Sequence, residues 1–149
     1  MSNWITIAKA DLYNSKSATL IDAADTQALG AGQTGRTAGI IADVTLEIRR
    51  KVSRCNQLDQ VTTAIPGGLK PLAVDIIFCR IKTALEMELS QDERALLNRR
   101  EAELDRIADG KDLVDPPDNP IVAAFNQAVA QPVTVDRHRN FSRCEQEGL

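Results

Sequence analysis

The sequence predicts an all-α protein: a small bundle of about four to five helices carrying an extended C-terminal arm. Three observations lead there. The stretch Ile65 to Leu89 places Leu72, Ala73, Ile76, Ile77, Arg80, Ile81, Ala84 and Leu85 at i, i+3/i+4 spacing. Val74 and Phe78 widen that apolar surface past half the circumference, as a helix packed on several sides requires. A second segment, Ala38 to Arg54, carries Ile41, Val44, Ile48, Val52 and Cys55 in a 3-4-4-3 seam that suits packing on the first. A third, after Ser90, opens with a capping box and ends at Gly110.

From the start, Thr6 is expected to cap a short helix over Ile7 to Tyr13, with Trp4 and Ile5 as an apolar plug ahead of it. Ser17 is expected to cap a second, Ala18 to Leu29, whose Leu20, Ile21, Ala24 and Ala28 share one face. Gly30 to Gly39 has four glycines and reads as a loop. In the Ala38 to Arg54 helix, Arg49, Arg50 and Arg54 are expected opposite the seam, and Glu47 and Lys51 form an i,i+4 pair. Glu47 to Arg54 is a locally basic run in an acidic chain, suited to an acidic partner surface or a neighbouring subunit.

Asn56 to Gly68 reads as a polar loop ending in the break Pro66-Gly67-Gly68, and Pro71 then falls in the first turn of the central helix. Asp75, Lys82 and Glu86 mark its solvent side. Ser90 and Glu93 form the capping box of the last long helix, whose Leu97, Leu104, Ile107 and Ala108 make a narrow stripe among mixed charges. From Lys111 the composition changes. Asp115 to Pro120 carries three prolines and cannot continue a helix. A short apolar helix over Ile121 to Ala130 and an extended Val133 to Val135 are expected before a polar end. The expected division is therefore a helical domain, 1–110, and an arm, 111–149.

Composition narrows the function. The net charge is −3 over 149 residues, whereas a dedicated nucleic-acid binder usually carries a basic excess. No apolar run approaches the ~20 residues of a membrane span. The opening MSNWITIAKADLY has no basic region followed by an apolar one, so no secretory signal is expected. Cys55, Cys79 and Cys144 stand 24 and 65 residues apart, which is no metal spacing and suits reduced thiols, with Cys79 packed in the central helix.

The glycine segment Gly30-Ala31-Gly32-Gln33-Thr34-Gly35-Arg36-Thr37 matches the phosphate-binding pattern G-x-x-x-x-G-K-[ST] except for the lysine. Arginine's planar group does not fit the cradle that lysine's ammonium fills, and the pattern follows a helix where it needs a strand. Nucleotide binding is not expected. His138, the single histidine, lies in the polar arm. Glu86 with Glu88, or Glu101 with Asp105, are surface acids on charged helices. No enzyme and no cofactor are expected.

The motifs taken together resemble the head–tail connector (adaptor) proteins of tailed bacteriophages, most closely the Mu-like family of small virion proteins. The resemblance runs through Ile5-Thr6-Ile7-Ala8-Lys9-Ala10-Asp11-Leu12, the basic-ended helix Ile40 to Arg54, Ile65-Pro66, and Pro71-Leu72-Ala73-Val74-Asp75-Ile76. It continues in Leu104-Asp105-Arg106-Ile107-Ala108-Asp109-Gly110 and ends on Arg139-Asn140-Phe141-Ser142-Arg143, similar to the family's R-x-F-S-R tail. What this implies is a structural role in the virion, assembled in the host cytoplasm. The subunits would form a homo-oligomeric ring, a dodecamer, beneath the portal protein, extending the DNA channel and docking the tail or its stopper. Genomic DNA would pass without sequence-specific binding, which a slightly acidic lining favours because basic linings hold phosphates. Arg49, Arg50, Arg54, Arg139, Phe141 and Arg143 would then be the residues that meet a neighbouring subunit, the portal or the tail. The alternative from another class is a small helical DNA-binding or regulatory protein that places Arg49, Arg50 and Arg54 on phosphates.

Overall fold

A computed structural model describes residues 2–27 and 35–121. In chain order it contains β1 (Trp4–Thr6), α1 (Lys9–Ser15), α2 (Ala18–Thr26), α3 (Arg36–Val52), β2 (Ala64–Pro66), a 3-10 turn (Gly67–Leu69), α4 (Lys70–Ala84) and α5 (Gln91–Ala108). The body is mostly helical, but the all-α expectation needs one correction. β1 and β2 pair antiparallel, with Trp4 opposite Pro66 and Thr6 opposite Ala64.

The core forms around α4. Its Leu72, Ala73, Val74, Ile76, Ile77, Cys79 and Ile81 are all buried, because apolar side chains cover more than half of its circumference. Val44, Ile48 and Val52 of α3 close one flank, and Leu104 and Ile107 of α5 another, while Leu12, Ile21 and Trp4 complete the cluster. The Cys79 thiol is pushed up by burial, as a packed small hydrophobe should be.

Several local expectations are corrected. Thr6 belongs to β1 and caps no helix. α1 instead starts after Ala8, whose N–H donates to the Asp11 carboxylate (2.9 Å). Ser17 stands at the cap of α2 without a side-chain cap bond, and α2 ends at Thr26. Residues 28–34 lie outside the described part, but Arg36 to Gly39 are helical, so α3 starts earlier than the glycine content suggested. The Asn56 to Gly68 segment is not all loop, since it holds β2 and the 3-10 turn. The Ser90–Glu93 capping box forms in both directions, and Gly110 takes the left-handed φ of +72° at the stop of α5.

Charge pairing across helices differs most from the sequence reading. Glu47 pairs with Arg80 of α4 and Lys51 with Asp105 of α5, so the expected pair within α3 is not made. Asp75 does not face solvent. It is half-buried between Lys16 (2.8 Å) and Arg100 (3.0 Å), tying α1, α4 and α5 together. Burial raises the Asp75 carboxyl, but the two cations outweigh it and hold the group below the ordinary carboxylate value. A depressed folded-state pKa gives stability that is present above the unfolded value near ~4 and lost as pH falls through the folded one. Asp75→Asn is therefore expected to cost about 2 kcal/mol at pH 7, the scale of hydrogen bonds to a charged group, and to flatten the loss of stability below pH ~4. Urea titrations from pH 7 to pH 2 check this, and parallel curves for both proteins would refute it.

Candidate interaction surface

The basic run at the end of α3 separates into unlike parts. Arg50 and Arg54 are exposed and make no ion pair among the described residues, although Arg54 lies within electrostatic reach of Asp105, whose carboxyl Lys51 holds low first. Arg49 is only 6% exposed. Its Nη1 donates to the carbonyls of Val61 (2.9 Å) and Ala64 (2.6 Å), and its Nη2 to that of Asp59 (2.8 Å). The guanidinium also stacks over the Trp4 ring, 5.7 Å from its centroid. Burial lowers the Arg49 pKa, with the Asp59 charge opposing. The grouping of Arg49 with Arg50 and Arg54 as an outward patch is thus corrected: Arg49 organises the segment leading into β2 from inside.

The segment after α5 is fastened to the body. The Asp118 carboxylate accepts the N–H groups of Asn3 and Trp4 (3.1 Å each) and the Ser2 hydroxyl. Trp4 Nε1 donates to the Asp115 carbonyl (3.1 Å). The buried Asp59 carboxylate accepts from the Val61 and Asn119 N–H groups, and the Ile121 N–H donates to the Leu58 carbonyl (2.8 Å). Within the expected arm, residues 115–121 are thus hydrogen-bonded to the body, whereas Leu113 is exposed. Arg139, Phe141, Arg143 and His138, with the expected helix to Ala130, the extended Val133 to Val135 and Cys144, lie outside the described residues.

Asp25 occupies the end of the glycine segment. Its Oδ1 accepts the Thr37 N–H at 2.9 Å, and its Oδ2 meets Lys9 Nζ at 2.7 Å. Burial raises the Asp25 carboxyl, but Lys9 and Thr37 prevail and hold it low. A carboxylate thus sits at the N-terminus of α3, where a phosphate-binding loop would receive its anion. A Cβ on Gly35 would come within 2.6 Å of that carboxylate, so glycine here makes room for Asp25.

Fold and surface together define a mostly helical body with a small terminal sheet, two outward arginines at one end and a pinned exit for its C-terminal segment. No protein-family model, curated protein or solved structure matches the chain.

Proposed function

We propose that the chain is a structural virion protein, a head–tail connector subunit that forms a ring beneath the portal, extends the DNA channel and docks the tail. The resemblance of its motifs supplies the identity, and the end-to-end charge of the body is the observation that carries the ring. Arg36 Nη1 donates to the Ala84 carbonyl (2.9 Å), so α3 begins where α4 ends. Lys82 pairs with Glu93, which brings the start of α5 to the same end. The exposed Glu86, Glu88 and Asp92 gather there, against the cations Arg36 and Arg94. Arg50 and Arg54 stand at the far end of the 17-residue α3, about 25 Å away at 1.5 Å per residue. A small acidic excess at one end and two exposed arginines at the other would favour head-to-tail contacts, the heterologous kind that close rings.

Asp109, Asp112 and Asp118 are already engaged with Lys111, Arg106 and the N-terminal strand, while the exposed Glu86, Glu88 and Asp92 offer an acidic counterpart. Arg50→Glu with Arg54→Glu is expected to keep the helical circular dichroism and to reduce the light-scattering mass, alone and with a portal ring, to that of free subunits. Normal assembly by this variant would overturn the reading. Normal assembly together with weakened binding to random duplex DNA at low salt would favour the DNA-binding alternative instead.

A further inference from the structure

We infer that Leu113 of one copy of the chain seats in an apolar groove on α3 of the next copy. This rests on the head-to-tail reading above and gives that contact its apolar centre. Leu113 is 95% exposed, more than any other large apolar side chain among the described residues. It is nevertheless held in place. On one side the Lys111 N–H donates to the Arg106 carbonyl (2.9 Å), and Arg106 pairs with Asp112 (2.9 Å). On the other, Trp4 Nε1 donates to the Asp115 carbonyl (3.1 Å). An apolar side chain displayed between two fastened points has little ordering left to lose when it binds.

The groove, about 380 Å³, is lined by Ile7, Ala38, Ile41, Ala42 and Leu46, with Thr62 and Thr63 on its rim. Ala38 and Ala42, one turn apart, keep it open between the larger side chains. Two observations choose a second copy as its occupant. The first is placement along the β1–β2 ladder, which runs from Trp4 opposite Pro66 to Thr6 opposite Ala64. Leu113 stands with Pro66 and Gly68 at one end of it, and the groove holds Thr6 and Thr63 at the other. The bonds at 111 and 115 keep Leu113 at its own end, away from its own groove. The second is charge. Cys55, just past α3, donates from its Sγ to the Ala108 carbonyl (3.2 Å), so the segment after α5 leaves from the end that carries Arg50 and Arg54. The groove reaches back to Ala38 in the first turn of α3, at the end that carries the exposed Glu86, Glu88 and Asp92. When the arginine end of one copy meets the acidic end of the next, knob and groove approach together. They are different surfaces, so the contact is heterologous.

The test uses the full chain carrying Cys55→Ser and Cys144→Ser. Disulfides form only where Cα atoms approach within ~7 Å, so Leu113→Cys mixed with Ala42→Cys is expected to give linked dimers in at least about fivefold higher yield than either alone. Equal yields would overturn the inference. In the unsubstituted background, Leu113→Ser and the groove-filling Ala42→Phe, both at exposed positions, are each expected to keep the circular dichroism and weaken self-association at least about tenfold by light scattering. Mixed, the groove of the first receives the knob of the second, and the mass rises to that of a dimer and stops. A mixture that stays monomeric, or grows past two, would count against the knob. Unchanged association in both single variants would refute it, and the head-to-tail reading would then stand only if Arg50→Glu with Arg54→Glu still dissociates the assembly.

Discussion

Arg49→Met is expected to lower the unfolding free energy by about 3 kcal/mol or more, the cost of breaking a buried charged network by removing one member. Two effects compete. Taking a guanidinium out of water is expensive, and methionine of similar length removes that cost. The partners, however, are backbone carbonyls of Asp59, Val61 and Ala64 that no substitution at 49 removes. The Val61 carbonyl keeps the Ala64 N–H, but those of Asp59 and Ala64 would lose the guanidinium donor in a buried setting, at ~1–3 kcal/mol per orphaned group. The second effect wins because two buried carbonyls are orphaned at once. Arg49→Lys separates charge from shape: one ammonium keeps the charge but cannot span three carbonyls as the planar fork does. It is expected to retain about half of the lost stability. Equilibrium urea denaturation reads both variants. Values within ~0.5 kcal/mol of the unsubstituted protein would show the clasp to be incidental.

The role of Arg49 was within reach of the sequence and shows how periodic reading errs. Val44, Ile48 and Val52 define the seam, and residue 49 falls about 100° from its first member plus a further 40°, next to Val52 and Thr45. Both neighbours are buried. A residue on the seam's flank can follow it inward, and arginine is long enough to carry its charge through to carbonyls beyond. Arg50 falls on the opposite side and Arg54 lies two residues past the end of α3, and these two remain outward. Lys51 lies on the other flank and is taken by Asp105 of α5.

Elements whose signal is local were legible: α4 with an apolar surface over more than half its circumference, the reciprocal cap at Ser90 and Glu93, and the stop at Gly110. What was not legible depends on partners far apart in the chain. The strand Trp4–Thr6 has only three residues, and its pairing partner Ala64–Pro66 lies about sixty positions on, inside a segment that looks like a loop. Asp75 looked solvent-facing because its two partners sit on α1 and α5. The same holds for 111–121. Its prolines forbid a helix, yet Asp118 accepts the Asn3 and Trp4 N–H groups and the Asn119 N–H donates to the Asp59 carboxylate.

Deleting Val133 to Leu149 is expected to leave the thermal midpoint nearly unchanged and to abolish joining of heads to tails. The first half follows from where the fastening ends. The hydrogen bonds that tie the C-terminal segment to the body are made by Asp115, Asp118, Asn119, Pro120 and Ile121, all retained in the deletion. The second half follows from the chemistry of the removed residues. Phe141 stands between Arg139 and Arg143, one aromatic anchor flanked by two groups that bind carboxylates bidentately. On the connector reading proposed above, these side chains would meet a neighbouring subunit, the portal or a tail protein, whose surface would offset an ordering cost of roughly 1–2 kcal/mol per residue. Phe141→Ala with Arg143→Ala is accordingly expected to weaken binding to that partner by about thirtyfold, the ~2 kcal/mol of a single hot spot, while the ring still assembles through Arg50 and Arg54. Titre of infectious particles measures the deletion, and calorimetry with isolated portal or tail measures the double variant. A normal titre from the deletion would show that the tail of the chain plays no part in docking.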